Sequence, residues 1–106
     1  MSDTLTQLAA IIEQRKTASP DSSYVAKLQH AGLNKILEKV GEEAVETALA
    51  AAIGDRDGTV SESADLLYHL MVVWAAADVR PQDVYAALAA REHQSGLEEK
   101  AARPKD

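Results

Sequence analysis

Cysteine is absent from this chain of 106 residues, which excludes disulfides and Cys-ligated zinc or iron–sulfur sites. Phenylalanine is absent as well, and aromatics make up only 4% of the residues. A core must therefore be built from Leu, Val, Ile and a large share of Ala. Alanine removes little apolar area when buried, so such a chain gains from close helix-to-helix approach and from a partner subunit. Long apolar runs are missing too. The longest, Leu66 to Ala77, is 12 residues and contains His69, whereas a membrane span needs roughly 20. The first residues, MSDTLTQ, are polar and carry an acid, unlike a signal peptide. The expectation is a soluble cytoplasmic protein. Positive charge is scarce, with 11 Lys and Arg against 17 Asp and Glu and a net charge of -6. That disfavours a nucleic-acid partner, which needs a basic face. Phosphate ligands stay open, because a divalent cation reverses the local sign of an acidic site.

The length fits one domain. We expect it over residues 1–97, with 98–106 a flexible charged tail. No segment alternates with the period of a half-buried strand, and good helix formers dominate. The pattern predicts an all-α chain of four main helices and one short one. The first covers Asp3 to Thr17, with Leu5, Leu8, Ala9 and Ile12 as its apolar stripe. A short helix or turn covers Tyr24 to His30 and ends near Gly32. The second main helix runs from Asn34 to Ile53 and stops at the loop Gly54–Gly58. The third spans Val60 to Ala77. The fourth starts at Pro81, suited to the first helical position, and ends near His93. Short connections imply antiparallel neighbours in a bundle.

The acids then need placing. At about 100° per residue, the second main helix turns Ile36, Val40, Ala44 and Ala48 to the core. Glu43 borders that face, and Lys39, Glu42 and Glu46 flank it. The third is apolar almost all round, which reads as burial. Its polar exceptions, Glu62, Asp65 and His69, form one stripe. Facing stripes on neighbouring helices would bring four or five carboxylates together. Like charges so close raise one another's pKa, and a hard divalent cation resolves the conflict. Carboxylate ligation suits Mg²⁺ or Mn²⁺, and Lys39 stands one turn away to hold a phosphate oxygen. Blander accounts compete. The Glu42–Glu46 segment fits a solvated face, with Lys39–Glu43 as an i,i+4 pair. Thr59 and Glu62 fit a capping box. His69 fits a satisfied core or interface histidine. Lys35 fits a surface charge.

The motif Glu42-Glu43-x-x-Glu46 followed by Glu62-x-x-Asp65 resembles the signature of the all-α nucleotide pyrophosphohydrolases, the MazG-like superfamily. The blocks SYVAKLQHAGLNKILEKVGEEAVE (Ser23 to Glu46) and ESADLLYHLMVVW (Glu62 to Trp74) narrow the resemblance. With the segment Val84 to Arg91, they are similar to the phosphoribosyl-ATP pyrophosphatase family of histidine biosynthesis. The resemblance implies Mg²⁺-dependent hydrolysis of phosphoribosyl-ATP to phosphoribosyl-AMP and pyrophosphate by a homodimer or higher homo-oligomer. It implies Glu43, Glu46, Glu62 and Asp65 as metal ligands. Glu42 would be a further ligand or would orient the attacking water. Lys39 and Lys35 would contact phosphate, and Arg91 would do the same or serve the subunit interface. Arg80 before Pro81 departs from the small capping residue usual there. Some relatives of this kind are fused to a cyclohydrolase; a chain this short, without Cys for that enzyme's zinc, is expected to be the stand-alone form.

Three rivals stand beside this reading. A housecleaning pyrophosphatase of noncanonical nucleoside triphosphates would keep the metal site and change the base pocket. A di-iron bundle needs Glu-x-x-His on two helices, and the chain offers only Asp65-x-x-x-His69. A catalytically silent interaction bundle would carry the acids as surface charge.

Overall fold

The computed structural model describes residues 3–93, without the side chains of Asp3 and His93. The expected tail, residues 98–106, lies outside the described residues. All regular elements among the described residues are helical: α1 (Asp3–Arg15), α2 (Tyr24–Ala31), α3 (Leu33–Ala52), α4 (Arg56–Ala76) and α5 (Pro81–Ala90). A 3₁₀ turn, Arg91–His93, closes α5. No helix among the described residues is long and apolar enough to cross a membrane.

The first helix follows its expected stripe. Ile12 is fully buried, and Leu5, Leu8 and Ala9 pack partly buried against the core. It ends at Arg15, two residues early. The chain then reverses through Ser19–Ser22, where the Ser22 amide donates to the Ser19 carbonyl. Ser23 caps α2, its hydroxyl accepting from the Ala26 amide at 3.2 Å. Gly32, at φ 104°, separates α2 from α3 in a conformation that L side chains resist.

The core is small: Ile12, Val25, Leu28, Ile36, Met71, Val72 and Ala75. The short α2 supplies two of these and buries Ala26 besides, whereas α5 buries no residue. The expected division into four main helices and a minor one therefore does not match the packing. What decides an element's share of the core is its position over the α3–α4 pair, not its length. α5 instead leans on the end of α4 through an edge-to-face contact of Tyr85 with Trp74. Its first turn lacks a side-chain cap, as Arg80 led us to expect.

Two expectations for the central pair need correction. The capping box at Thr59–Glu62 is not formed. α4 begins at Arg56, one turn earlier, and Asp55 is its cap, its carboxylate accepting from the Gly58 amide at 2.9 Å. Thr59 Oγ1 donates to the Asp55 carbonyl at 2.7 Å, inside the helix. The loop thus shrinks to residues 53–55, and Glu62 sits in the second turn, where capping no longer explains it. The buried face of α3 also differs. It runs through Ile36, Val40, Glu43, Thr47 and Ala50, while Ala44 and Ala48 are exposed. The helix is rotated so that the acid Glu43 points inward at mid-length.

Candidate functional site

Glu43, Glu62 and Asp65 meet where α3 crosses α4. One carboxylate oxygen from each lies within 4.8 Å of the others. As residue numbers rise along α3 their partners on α4 fall: Glu43 faces Asp65 and His69, and Glu46 faces Glu62. That is the antiparallel sense of a helical hairpin, and it aligns the two acidic stripes.

The electrostatics are those of an under-neutralised cluster. Glu43 is 13% exposed in its side chain. Glu62 Oε2 is buried with no hydrogen-bond partner among the described residues, an unfavourable position for a carboxylate oxygen. The contact with Glu62 raises the Glu46 carboxyl above its ordinary value, first by favouring a shared proton and then by like charge. Desolvation and Glu42 push the same way, and Glu43 opposes.

These residues fit a hard cation. One oxygen from each of three side chains lies within 4.8 Å of the others, so side-chain rotation would let all three reach a single ion. The donor set is all carboxylate, which suits Mg²⁺ or Mn²⁺. The orphaned Glu62 oxygen is the kind of atom a cation satisfies.

The other predicted residues are placed less centrally. Glu46 is exposed and stands against Glu62, outside the group of three. Glu42 is 47% exposed and pairs with Lys39 at 3.7 Å. That pair, not the expected Lys39–Glu43, is the i,i+4-type contact's nearest equivalent in the structure, at i,i+3. Lys35 pairs with Glu38 at 3.6 Å on the surface. Arg91 is exposed in the turn after α5, an element that supplies none of the three converging acids.

One participant was missed from sequence. Tyr24, at the start of α2, bonds its hydroxyl to His69 Nε2 at 2.8 Å. His69 is 6% exposed, and its Nδ1 bonds the Asp65 carbonyl at 2.9 Å. A carbonyl only accepts, so Nδ1 carries the hydrogen, and in the neutral ring Nε2 accepts from Tyr24. Tyr68 completes an aromatic group, its ring 5.6 Å from His69 and 6.3 Å from Tyr24. The only signal for Tyr24 was its adjacency to the capping Ser23.

The sequence matches the family model described as Phosphoribosyl-ATP pyrophosphohydrolase over residues 5–92. It is 56% identical to a protein of Azospirillum brasilense named phosphoribosyl-ATP pyrophosphatase, over 93% of this chain and 89% of that one. Proteins of the same name from Rhizorhabdus wittichii and Ruegeria pomeroyi are 56% and 57% identical. These alignments cover 99% and 95% of this chain, and 99% and 96% of the relatives. The helical hairpin with its converging acids thus sits in a sequence matched almost from end to end, and the chain belongs to the phosphoribosyl-ATP pyrophosphohydrolase family, a family of hydrolases.

Proposed function

We propose that this protein hydrolyses phosphoribosyl-ATP to phosphoribosyl-AMP and pyrophosphate, a step of histidine biosynthesis, with Mg²⁺ as cofactor and Mn²⁺ as a substitute. The name shared by its relatives supports the substrate. The observation that carries the hydrolytic chemistry is the convergence of Glu43, Glu62 and Asp65 around the unpartnered Glu62 Oε2.

In this reading Glu43, Glu62 and Asp65 hold the cation, and Glu46 joins them by a turn of its exposed side chain. A bound magnesium ion supplies neutralisation of the triphosphate and a water of lowered pKa. Lys39 swings from Glu42 to a phosphate oxygen. An exposed ion pair of that kind is worth about 0–1 kcal/mol, so releasing it costs little. Glu42, once free, orients water. Lys35 and Arg91 lie further out as phosphate contacts. Among the described residues no Ser-His or Cys-His nucleophile pair accompanies the acids, which favours direct attack by water.

The protein works as a homodimer in this reading. Leu37, Val45, Leu49 and Ile53 on α3, with Val60 and Leu67 on α4, are exposed large apolar side chains on adjacent helices. Exposed apolar side chains gathered on adjacent helices are characteristic of an association surface. A biosynthetic role supports a cytoplasmic location in this reading.

The test is product analysis. With Mg²⁺, phosphoribosyl-ATP should yield pyrophosphate and the monophosphate, and Asp65→Asn should abolish turnover. A clear preference for dCTP or dUTP would overturn the substrate assignment. Turnover that survives both chelation and Asp65→Asn would overturn the site.

A further inference from the structure

His69 sits between the carboxylate cluster and α2, and nothing in the hydrolytic reading uses it. Its ring is buried and fixed at both nitrogens. Nδ1 is tied to the Asp65 carbonyl one turn earlier on the same helix, which sets the ring's rotation. Nε2 is tied to Tyr24, which anchors the ring to a second helix. The hydrogen-bearing nitrogen is then held 4.0 Å from Glu43 Oε1. That is beyond a hydrogen bond, yet close enough for the N–H dipole to bias where a carboxylate rests. Glu43 also has its main chain fixed, its carbonyl accepting from Thr47 Oγ1 at 2.7 Å.

We propose that His69, through its Nδ1–H, is a positioning residue for the cation-binding carboxylates. The proposal rests on the metal-dependent reading above. In this role the ring acts through Asp65 and Glu43 and not on the reacting atoms. It holds the α4 backbone at Asp65 and offers Glu43 a polar wall, so that both acids face one point before a cation arrives. Partners behind the ligands that do this work elsewhere are worth about 10- to 100-fold in metal affinity. A ring serving only the core would need Nε2 and its bulk. A positioning ring needs Nδ1–H.

The two nitrogens can be separated by substitution. In His69→Asn the side-chain amide takes the place of Nδ1 and the bond to Tyr24 is lost. In His69→Gln the amide reaches the place of Nε2 and the Nδ1 donor is lost. Mn²⁺ affinity is measured by electron paramagnetic resonance on the full chain without substrate, alongside thermal unfolding. His69→Ala should weaken Mn²⁺ binding about 10- to 100-fold. His69→Asn should recover most of that loss, and His69→Gln should not, even where it restores the unfolding midpoint. Equal Mn²⁺ affinity in the Asn and Gln variants would overturn the proposal. So would an Asn variant no better than Ala. A wild-type chain that binds no Mn²⁺ would overturn the metal reading as well, so the two failures are told apart.

Discussion

Glu46 of α3 and Glu62 of α4 stand carboxylate against carboxylate, and the contact holds the Glu46 carboxyl above its ordinary pKa of 4.5. In metal-free protein the folded state therefore keeps a proton that the unfolded chain releases. Where the folded state binds more protons, stability falls as pH rises. The contribution is complete below about pH 4.5 and is lost as pH climbs through the raised folded value. Glu46→Gln should remove this descent. Unfolding midpoints between pH 4 and pH 7, in chelator, should fall less with pH in the variant than in the wild type, apart from changes common to both. Parallel curves would show that the two acids do not share a proton.

Glu42 and Glu43 are chain neighbours with different surroundings. Glu43 points into the α3–α4 crossing, and Glu42 points to Lys39 on the surface. Removing a ligand should cost far more than removing a group that only orients water. Glu43→Gln is expected to abolish Mg²⁺ binding and turnover. Glu42→Gln should leave Mg²⁺ affinity near wild type and lower turnover by about 10²-fold or less, the lower range of general acid–base effects. Calorimetric titration with Mg²⁺ and steady-state rates check both. Equal loss of Mg²⁺ affinity in the two variants would make Glu42 a ligand.

Asp55, not Thr59, is the residue on which the start of α4 depends. Its carboxylate receives the Gly58 amide, and a Cβ at Gly58 would run into that carboxylate. Asp55→Ala should cost about 1 kcal/mol, which for a domain of this size lowers the unfolding midpoint by roughly 4–8 °C. Thr59 only bonds back to the carbonyl of Asp55, a contact of small effect in a helix. Thr59→Ala should therefore lower the midpoint less than Asp55→Ala. The reverse order would restore the capping box.

The helices, their order and the acids that converge were legible because their signals are local. Leu5, Leu8 and Ile12 repeat at helical spacing, and Glu62 and Asp65 interrupt an otherwise apolar stripe. The start of α4 was not, because Asp55 and Thr59 are both competent caps four residues apart, and only tertiary packing chooses between them. The buried face of α3 was misread for a different reason. Apolar periodicity picks Ala44 and Ala48, but the chain turns Glu43 and Thr47 toward α4. A helix with two apolar-rich faces does not announce which one its own chain covers. Tyr24 escaped notice because its partner is 45 residues away, and no spacing rule reaches that far.

The face of α3 left uncovered supports the last prediction. Leu49 is 61% exposed and Ile53 79% exposed, one turn apart on the same strip as Val45. Fully burying a leucine side chain is worth about 1.5–3 kcal/mol, and two copies related by a twofold axis would bury each such residue twice. An aspartate there has to be desolvated in the dimer but stays solvated in the monomer, so its cost falls on association and not on the fold. Leu49→Asp should therefore convert a dimer to monomer by light scattering at micromolar concentration, while the helical circular dichroism of the chain persists. Leu49 is turned about 120° around α3 from Glu43 and is exposed, so any accompanying loss of turnover would mean that the active site needs the second subunit. A wild-type chain that runs as a monomer, or a Leu49→Asp variant that remains a dimer, would leave this strip without its proposed occupant.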